Sequence, residues 1–324
     1  MVASKHVGIE NDIFIIGNGV IAKALAVALA LNGKNVTIIR GSVDEPGISR
    51  EHIQVETGGE TLQADVTISS LSNYEKLEGI ILLTNKSFGN PQLALKLQLK
   101  AKSAPIVFLQ NGLHIEKCFI DLGFDNLYRC VLFTTSESTG KNSVRFKPVA
   151  VSPIGSINGS QEILVRVVQQ INTTIFAFRA EPDIQPIIWK KVISNCVFNS
   201  ICPLLETDNG IFQRDDSVME IGKKVIRECL AVAAHDGIHL TEEEVIQNVL
   251  MISKFSNGQR ISTYQDILNK RQTEIGSLNF AIADAASLLE NTPVPITKLL
   301  GELTKIKSEL SLTAANVPDD LTLK

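Results

Sequence analysis

Residues 12–40 read DIFIIGNGVIAKALAVALALNGKNVTIIR, and this stretch decides the fold. Asp12-Ile13-Phe14-Ile15-Ile16 is a β-branched run that stops at Gly17, the pattern of a parallel strand buried on both faces. Val20 to Leu31 carries alanine and leucine all round, as a helix packed against a sheet does. Asn32-Gly33 closes it in the manner of a C-cap. Asn35 to Ile39 is a second strand, ending at Arg40. Strand, helix and strand within about thirty residues make a βαβ unit. Between the first strand and the helix stands Gly17-Asn18-Gly19-Val20-Ile21-Ala22, a GxGxxA pattern in the strand–turn–helix setting that a dinucleotide fingerprint requires. There Gly17 makes the tight turn and Gly19 lets backbone approach a pyrophosphate. Ala22 permits close helix–strand packing, and the helix N-terminus attracts phosphate. A merely tight structural turn is the competing reading.

Arg40 bears on which dinucleotide is bound. An acidic residue at the end of the second strand accepts the ribose hydroxyls of NAD, whereas an arginine there suits the 2′-phosphate of NADP through charge-assisted pairing. Glu45 lies several residues further along and is a poor substitute. A solvated surface arginine is the alternative.

Outward from this unit, residues 53–57 and 61–66 alternate by two around Gly58-Gly59, a hairpin signal. Buried strands are predicted at 79–84, leading to Asn85-Lys86, and at 105–109, stopping at Gln110-Asn111-Gly112. A helix is predicted from Pro91 to Ala101. Segments 126–135 and 144–151 are expected to finish the sheet, followed by a helix at 161–171 and a short strand at 175–178. Lys86 and Asn111 thus follow strands, at the carboxyl edge where open α/β sheets bind ligands.

Beyond Glu181 strand signals vanish. Helical patterns run over 183–205, 216–236, 241–251, 263–291 and 296–312. The expected architecture is an α/β Rossmann-type N-terminal domain, residues 1–181, followed by an all-α C-terminal domain, residues 182–324. The last dozen residues are expected to fray.

Composition narrows the function. The 324 residues are 44% hydrophobic and 20% charged with a net charge of −4, which leaves no electrostatic footprint for nucleic acid or an anionic membrane. Residues 1–11 lack the apolar core of a secretory signal. The apolar run 13–31 is interrupted by Gly17-Asn18-Gly19 and Lys23, which argues against a membrane span. Cys118, Cys130, Cys196, Cys202 and Cys229 form no CxxC pair. They suit a reducing, cytoplasmic compartment without structural disulfides or zinc. His235 and His239 are four apart, but Gly237 between them argues against a metal face.

The chemistry is carried by WKKVISNCVFN at 189–199. Lys191, Asn195 and Asn199 are spaced four apart, so a helix sets a lysine and two carboxamides one turn above another on one face. Such a face can bind and protonate a small oxo acid; a solvated helix edge is the bland alternative. Glu274 is the natural carboxylate partner, expected on a later helix, with a surface pair to Arg271 as its alternative. Ser262 opens Ser-Thr-Tyr-Gln, which Gln265 completes as a capping box.

The order of these motifs resembles the ketopantoate reductase (2-dehydropantoate 2-reductase) family over nearly the whole chain. The resemblance rests on GNGVIA at 17–22, Arg40, Asn85-Lys86, Gln110-Asn111-Gly112, WKKVISNCVFN at 189–199 and STYQDILNKRQTEIGSLN at 262–279. It implies an NADPH-dependent reduction of a 2-oxo acid to a 2-hydroxy acid, in pantothenate biosynthesis, by a monomer or homodimer. By the same resemblance Lys191 corresponds to the general acid and Glu274 to a carboxylate that orients substrate and ribose. Asn195, Asn199 and Ser262 correspond to substrate contacts. Arg40 and Lys86 correspond to NADPH phosphate contacts, and Asn111 lies near nicotinamide and substrate. The chain departs from the family pattern at Gly276, where aspartate is usual, and at Phe280, where a small residue is usual. These departures keep two alternatives open: a different 2-oxo acid, or a catalytically idle NADP-binding regulator.

Overall fold

The computed structural model describes residues 12–41 and 47–313; Glu45 and nearly all of the C-terminal segment expected to fray lie outside them. The chain packs as two compact units. One comprises residues 1–110 and 115–184. The other comprises 185–324 together with the short segment Asn111–His114.

The first unit is an α/β unit built in the order β1 (Asp12–Ile16), α1 (Val20–Leu31), β2 (Asn35–Arg40), β3 (Ser49–Thr57), β4 (Glu60–Ser70) and β5 (Ile80–Leu83). It continues through α2 (Asn90–Ala101), β6 (Ile106–Phe108), α3 (Lys117–Asp121), β7 (Leu127–Cys130), β8 (Thr134–Gly140), β9 (Ser143–Pro148), β10 (Ser152–Ser156), α4 (Gln161–Ile171) and β11 (Phe178–Ala180). All eleven strands form one sheet, in the order β11-β10-β7-β6-β5-β1-β2-β4-β3-β9-β8. From β4 through β2, β1, β5 and β6 to β7 the pairing is parallel. The chain runs outward from β1 in one direction through β2 and in the other through β5. The crevice at the carboxyl ends of β1 and β5 is therefore the topological switch point, where such sheets take ligands.

The apolar run of β1 follows from two-sided burial. Ile13 and Ile15 join a core with Leu25 and Leu29 of α1 and Leu164 and Val167 of α4. Phe14 and Ile16 join the opposite core, with Leu93 and Leu97 of α2 and Phe119 of α3. Helix α1 packs against β1, β2, β3, β4, β8 and β9, so the sheet extension wraps it. That explains why alanine and leucine occupy nearly every face of α1. Among the described residues no helix is long and apolar enough to cross a membrane. The 57–60 hairpin closes on Gly58 and Gly59 at φ 59° and 86°, the two left-handed residues of a tight two-residue turn.

One expected strand is corrected. Segment 126–135 divides into β7 and β8 at Val131-Leu132-Phe133, because Phe133 N–H donates to Ser152 Oγ at 3.0 Å and Val131 N–H to the Pro153 carbonyl.

The second unit is helical: α5 (Gln185–Leu204), α6 (Ile211–Arg214), α7 (Asp216–His235), α8 (Glu242–Phe255), α9 (Ser262–Leu268), α10 (Asn279–Ser287) and α11 (Pro295–Thr313). Helix α5 is its centre, packed against α7, α8, α9 and α11. It buries Trp189, Val192, Ile193, Cys196, Val197 and Phe198. The helix ends are held by local chemistry. Asp215 Oδ1 accepts from Ser217 N and Val218 N at the start of α7. Thr241 and Glu244 form a capping box before α8. Glu228 reaches from α7 to accept from Ile296 N and Thr297 N of α11.

The single helix expected over 263–291 is overturned. Helix α9 ends at Leu268, a 3-10 turn spans Ile275–Ser277, and α10 begins at Asn279. Lys270 adopts φ 53°, and Arg271 N–H donates to the Asp266 carbonyl while Lys270 N–H donates to Ile267. This is a Schellman closure with lysine where glycine is usual. Glu274 accordingly lies ahead of a 3-10 turn, not on a helix.

Candidate functional site

The GxGxxA segment occupies the switch point of the first unit. Gly17 sits at φ 119°, and a Cβ there would stand 2.6 Å from Thr84 Oγ1 and 2.8 Å from Asn85 N. The Ile16 carbonyl accepts from Thr84 N, Asn85 N and Thr84 Oγ1, so the ends of β1 and β5 are laced together. Gly17 is required by both its φ and this close approach. At Gly19 the situation is opposite: a Cβ would meet nothing within 4 Å. Gly19 precedes α1 with no side-chain cap and no acidic residue in the first turn. Asn18 and Gly19 are exposed, Val20 and Ile21 partly buried, and Ala22 fully buried against the sheet. An uncapped helix N-terminus facing open space fits a pyrophosphate.

Behind this edge lies a buried amide network that sequence reading passed over. Asn90 Nδ2 donates to Gln110 Oε1 at 2.9 Å, and Gln110 Nε2 donates to Asn90 Oδ1 and to the Asn85 carbonyl, both at 2.8 Å. The Asn85 Oδ1 atom is buried with no hydrogen-bond partner among the described residues, an acceptor left for a donor the protein does not supply. Lys86 follows directly, at the entry of a 3-10 turn over Ser87–Gly89.

Arg40 is neither isolated nor fully solvated. Its Nη2 lies 2.9 Å from Glu51 Oε1, with side chains 31% and 20% exposed. Lys23, on the first turns of α1, is held by the Lys141 carbonyl and Asn142 Oδ1. Burial pushes the Lys23 ammonium pKa down, the Glu51 carboxylate pushes it up, and Lys141 lowers it further. One carboxylate therefore stands among cations beside the fingerprint. Glu51 was missed because it comes from β3, eleven residues beyond Arg40.

Lys191, Asn195 and Asn199 all lie on α5, spaced by whole turns as expected. Lys191 and Asn195 are partly exposed, in a helix whose neighbouring positions are buried. Asn199 is 2% exposed, and its Oδ1 accepts from Thr263 N and from Ser262 Oγ, each at 3.2 Å. The expected capping box at Ser262 is thereby corrected: Ser262 is the first residue of α9, preceded by Ile261, and Gln265 Nε2 donates to the Arg260 carbonyl. Asn199 supplies the cap from α5, which leaves lone pairs of the Ser262 hydroxyl to accept another donor.

Helix α5 also packs against the 275–277 turn, whose entry holds Glu274. Arg271 does not pair with Glu274; its Nη2 lies 3.0 Å from the buried Asp266 carboxylate. Asn111 belongs to the segment that packs with this second unit, where Leu113 N–H donates to the Ser277 carbonyl at 2.8 Å. The structure thus joins Asn199 to Ser262 directly. It sets Lys191, Asn195, Glu274 and Asn111 on one unit, and Arg40 and Lys86 on the other. His114 is a loop residue at φ 54°, 3.7 Å from Asp236. His235 Nε2 lies 3.1 Å from Thr292 Oγ1. No cluster of three or more metal-ligating side chains occurs among the described residues, and the five cysteines are free thiols.

Comparison with known proteins gives two family matches. Residues 13–159 match the family described as ketopantoate reductase PanE/ApbA, and residues 183–308 match its C-terminal domain. The 2-dehydropantoate 2-reductase of Pyrococcus horikoshii is 26% identical over 304 residues, covering 92% of this chain and 98% of that one. A PanE/ApbA family ketopantoate reductase from Ralstonia eutropha JMP134 shares the fold with a TM-score of 0.79 at 23% identity, over 93% of this chain and 99% of that one. D-mandelate dehydrogenase, solved with NADH and anilino(oxo)acetate, is equally similar in fold, with a TM-score of 0.79 at 22% identity over 94% and 100% of the two chains.

Proposed function

The chain belongs to the ketopantoate reductase PanE/ApbA family of oxidoreductases, and from that premise we propose that it reduces 2-dehydropantoate to pantoate with NADPH, in the cytoplasm, for pantothenate biosynthesis. The observation that carries this reading is α5: a buried helix that leaves Lys191 and Asn195 partly exposed, about two turns and one turn before the Asn199–Ser262 lock.

NADPH, when bound, supplies the hydride. Gly17, Asn18, Gly19, Val20, Ile21 and Ala22 form the turn and helix start that hold its pyrophosphate. Arg40 and Lys86 hold its phosphates, and Asn111 contacts nicotinamide and substrate. As the ketone carbon is reduced, negative charge develops on its oxygen. The Lys191 ammonium stabilises that charge and donates its proton to the oxygen. Asn195 makes no side-chain hydrogen bond to other described residues, so its carboxamide is available to substrate. Ser262, oriented by Asn199, accepts from a substrate hydroxyl, and Glu274 orients substrate and ribose. An idle NADP-binding regulator has no use for this proton donor.

The testing experiment follows NADPH oxidation by absorbance against a panel of 2-oxo acids. The expected result is the highest kcat/KM with ketopantoate. Preference for an oxo acid with an aromatic side chain would move the substrate to the other 2-oxo acids. Tight NADPH binding without oxidation of any member would favour the regulator.

Glu51 favours a second reading of the cofactor. It occupies the Arg40 guanidinium and would repel a 2′-phosphate, while its carboxylate can accept from a ribose hydroxyl of NADH. Replacing Arg40 with alanine is expected to weaken NADPH roughly 10- to 100-fold, the worth of a hydrogen bond to a charged group, and to leave NADH nearly unchanged. Glu51→Gln is expected to tighten NADPH relative to NADH. Dissociation constants from fluorescence titration check both, and an NADPH-to-NADH ratio indifferent to either substitution would remove Arg40 from cofactor selection.

A further inference from the structure

Asn90 opens α2, yet its side chain does nothing for the helix. An asparagine at a helix start ordinarily caps free backbone N–H groups, and α2 begins with no side-chain cap. The carboxamide turns inward instead and is 1% exposed. Its Nδ2 donates to Gln110 Oε1 and to the Ile115 carbonyl, each at 2.9 Å. Its Oδ1 accepts from Gln110 Nε2 at 2.8 Å and from Asn85 Nδ2 at 3.3 Å. Two donated and two accepted bonds are all that a carboxamide can make. Every one goes to the segments that follow β5 and β6.

Gln110 and Ile115 are the two feet of one excursion. The chain leaves the α/β unit after Gln110, packs with the helical unit over Asn111–His114, and returns at Ile115. Within those four residues Gly112 and His114 stand at φ 117° and 54°. His114 lacks glycine's freedom there, so its surroundings must hold it. We propose that Asn90 is the positioning residue for Asn111. It pins both feet of the excursion to the start of α2, and so fixes where the Asn111 carboxamide is presented. The proposal rests on the reading of Asn111 as a contact to nicotinamide and substrate.

A loop held at one foot can pivot; held at both it cannot. Gln110 is fixed by the reciprocal amide pair with Asn90, and its Nε2 also donates to the Asn85 carbonyl. Asn111 follows Gln110 directly, so a displacement of this foot passes to it across one stiff, planar peptide unit. A shift of about 1 Å in a group that orients a reactant can cost about 10²-fold in rate. The β5 side depends less on Asn90. There the Ile16 carbonyl accepts from Thr84 N, Asn85 N and Thr84 Oγ1 without its help. Loss of Asn90 therefore falls on turnover more than on NADPH affinity.

Steady-state kinetics of Asn90→Ala, Asn111→Ala and the double variant, with NADPH and ketopantoate, test this. Asn90→Ala is expected to lower kcat about 10- to 100-fold, with the NADPH Kd within about threefold of wild type. Because Asn90 acts through Asn111, the double variant should lie within about twofold of Asn111→Ala. Losses that multiply overturn the proposal, as does an unchanged kcat in Asn90→Ala. Asn90→Ser keeps one hydroxyl donor and should fall between wild type and Asn90→Ala; it carries the same comparison should the alanine variant not fold. Amide hydrogen exchange of the ligand-free full chain reads the clamp without turnover. Exchange over 110–116 should quicken about tenfold in Asn90→Ala, while α8 keeps its wild-type rate. Unchanged exchange over 110–116, or equal quickening of α8, overturns the clamp. A wild type that reduces no oxo acid, or Asn111→Ala at wild-type kcat, with the local quickening intact, overturns the reading of the site and not the clamp.

Discussion

Lys191→Ala should lower kcat about 10³-fold while NADPH affinity stays within about twofold. The magnitude follows from the two duties assigned to the ammonium. Proton donation by a positioned acid is worth roughly 10²–10⁴-fold, and loss of one stabilising donor at a developing oxyanion roughly 10²–10³-fold. These overlap, because one group performs both, so they do not multiply. Lys191→Arg separates them: arginine keeps the charge but does not release a proton at any working pH, so kcat should recover only in part. Steady-state kinetics with NADPH and ketopantoate, beside a direct NADPH titration, supply the readouts. Unchanged kcat in Lys191→Ala would sink the assignment; equal loss of NADPH binding would move the lysine from the reaction to the cofactor.

The largest effect on stability is expected at a pair far from this chemistry. Arg129 on β7 is 3% exposed at its side chain, and its Nη1 lies 2.6 Å from Glu116 Oε2, itself 9% exposed. Removing Glu116 takes a carboxylate away from a buried guanidinium, and breaking a buried pair costs up to about 3–5 kcal/mol. Glu116→Ala should therefore lower Tm by roughly 10 °C, taking about 2–4 °C per kcal/mol for a unit of this size. Glu116→Leu with Arg129→Met should regain most of it, since apolar replacement of a whole buried pair is often neutral. Thermal unfolding of the three proteins decides. A fall under about 1 kcal/mol in Glu116→Ala would show that the pair contributes little.

Strand β1, helix α1 and strand β2 were legible because their signals are local: a β-branched run, glycines at a turn, and a helix closed by Asn32-Gly33. The break after Leu268 was not legible. Lys270 takes a left-handed conformation that nothing in its side chain announces, and neither glycine nor proline marks the turn. For that reason Glu274 was placed on the wrong kind of element. Ser262 was read as its own helix cap; the cap comes from Asn199, sixty-three residues away. Glu51 and Lys23 went unread because no sequence spacing connects them to Arg40.

By itself the sequence determined the α/β and all-α division, the fingerprint turn at Gly17 and the polar ladder of α5, all consequences of backbone periodicity and of glycine's freedom at positive φ. Tertiary structure alone decided which polar groups are spent on the protein and which remain for a ligand. Asn199 is committed to α9, Arg40 is shared with Glu51, and Gln110 is locked to Asn90. Hydrogen bonds and ion pairs saturate by proximity in space, and proximity between residues far apart in the chain is set by packing, not by spacing.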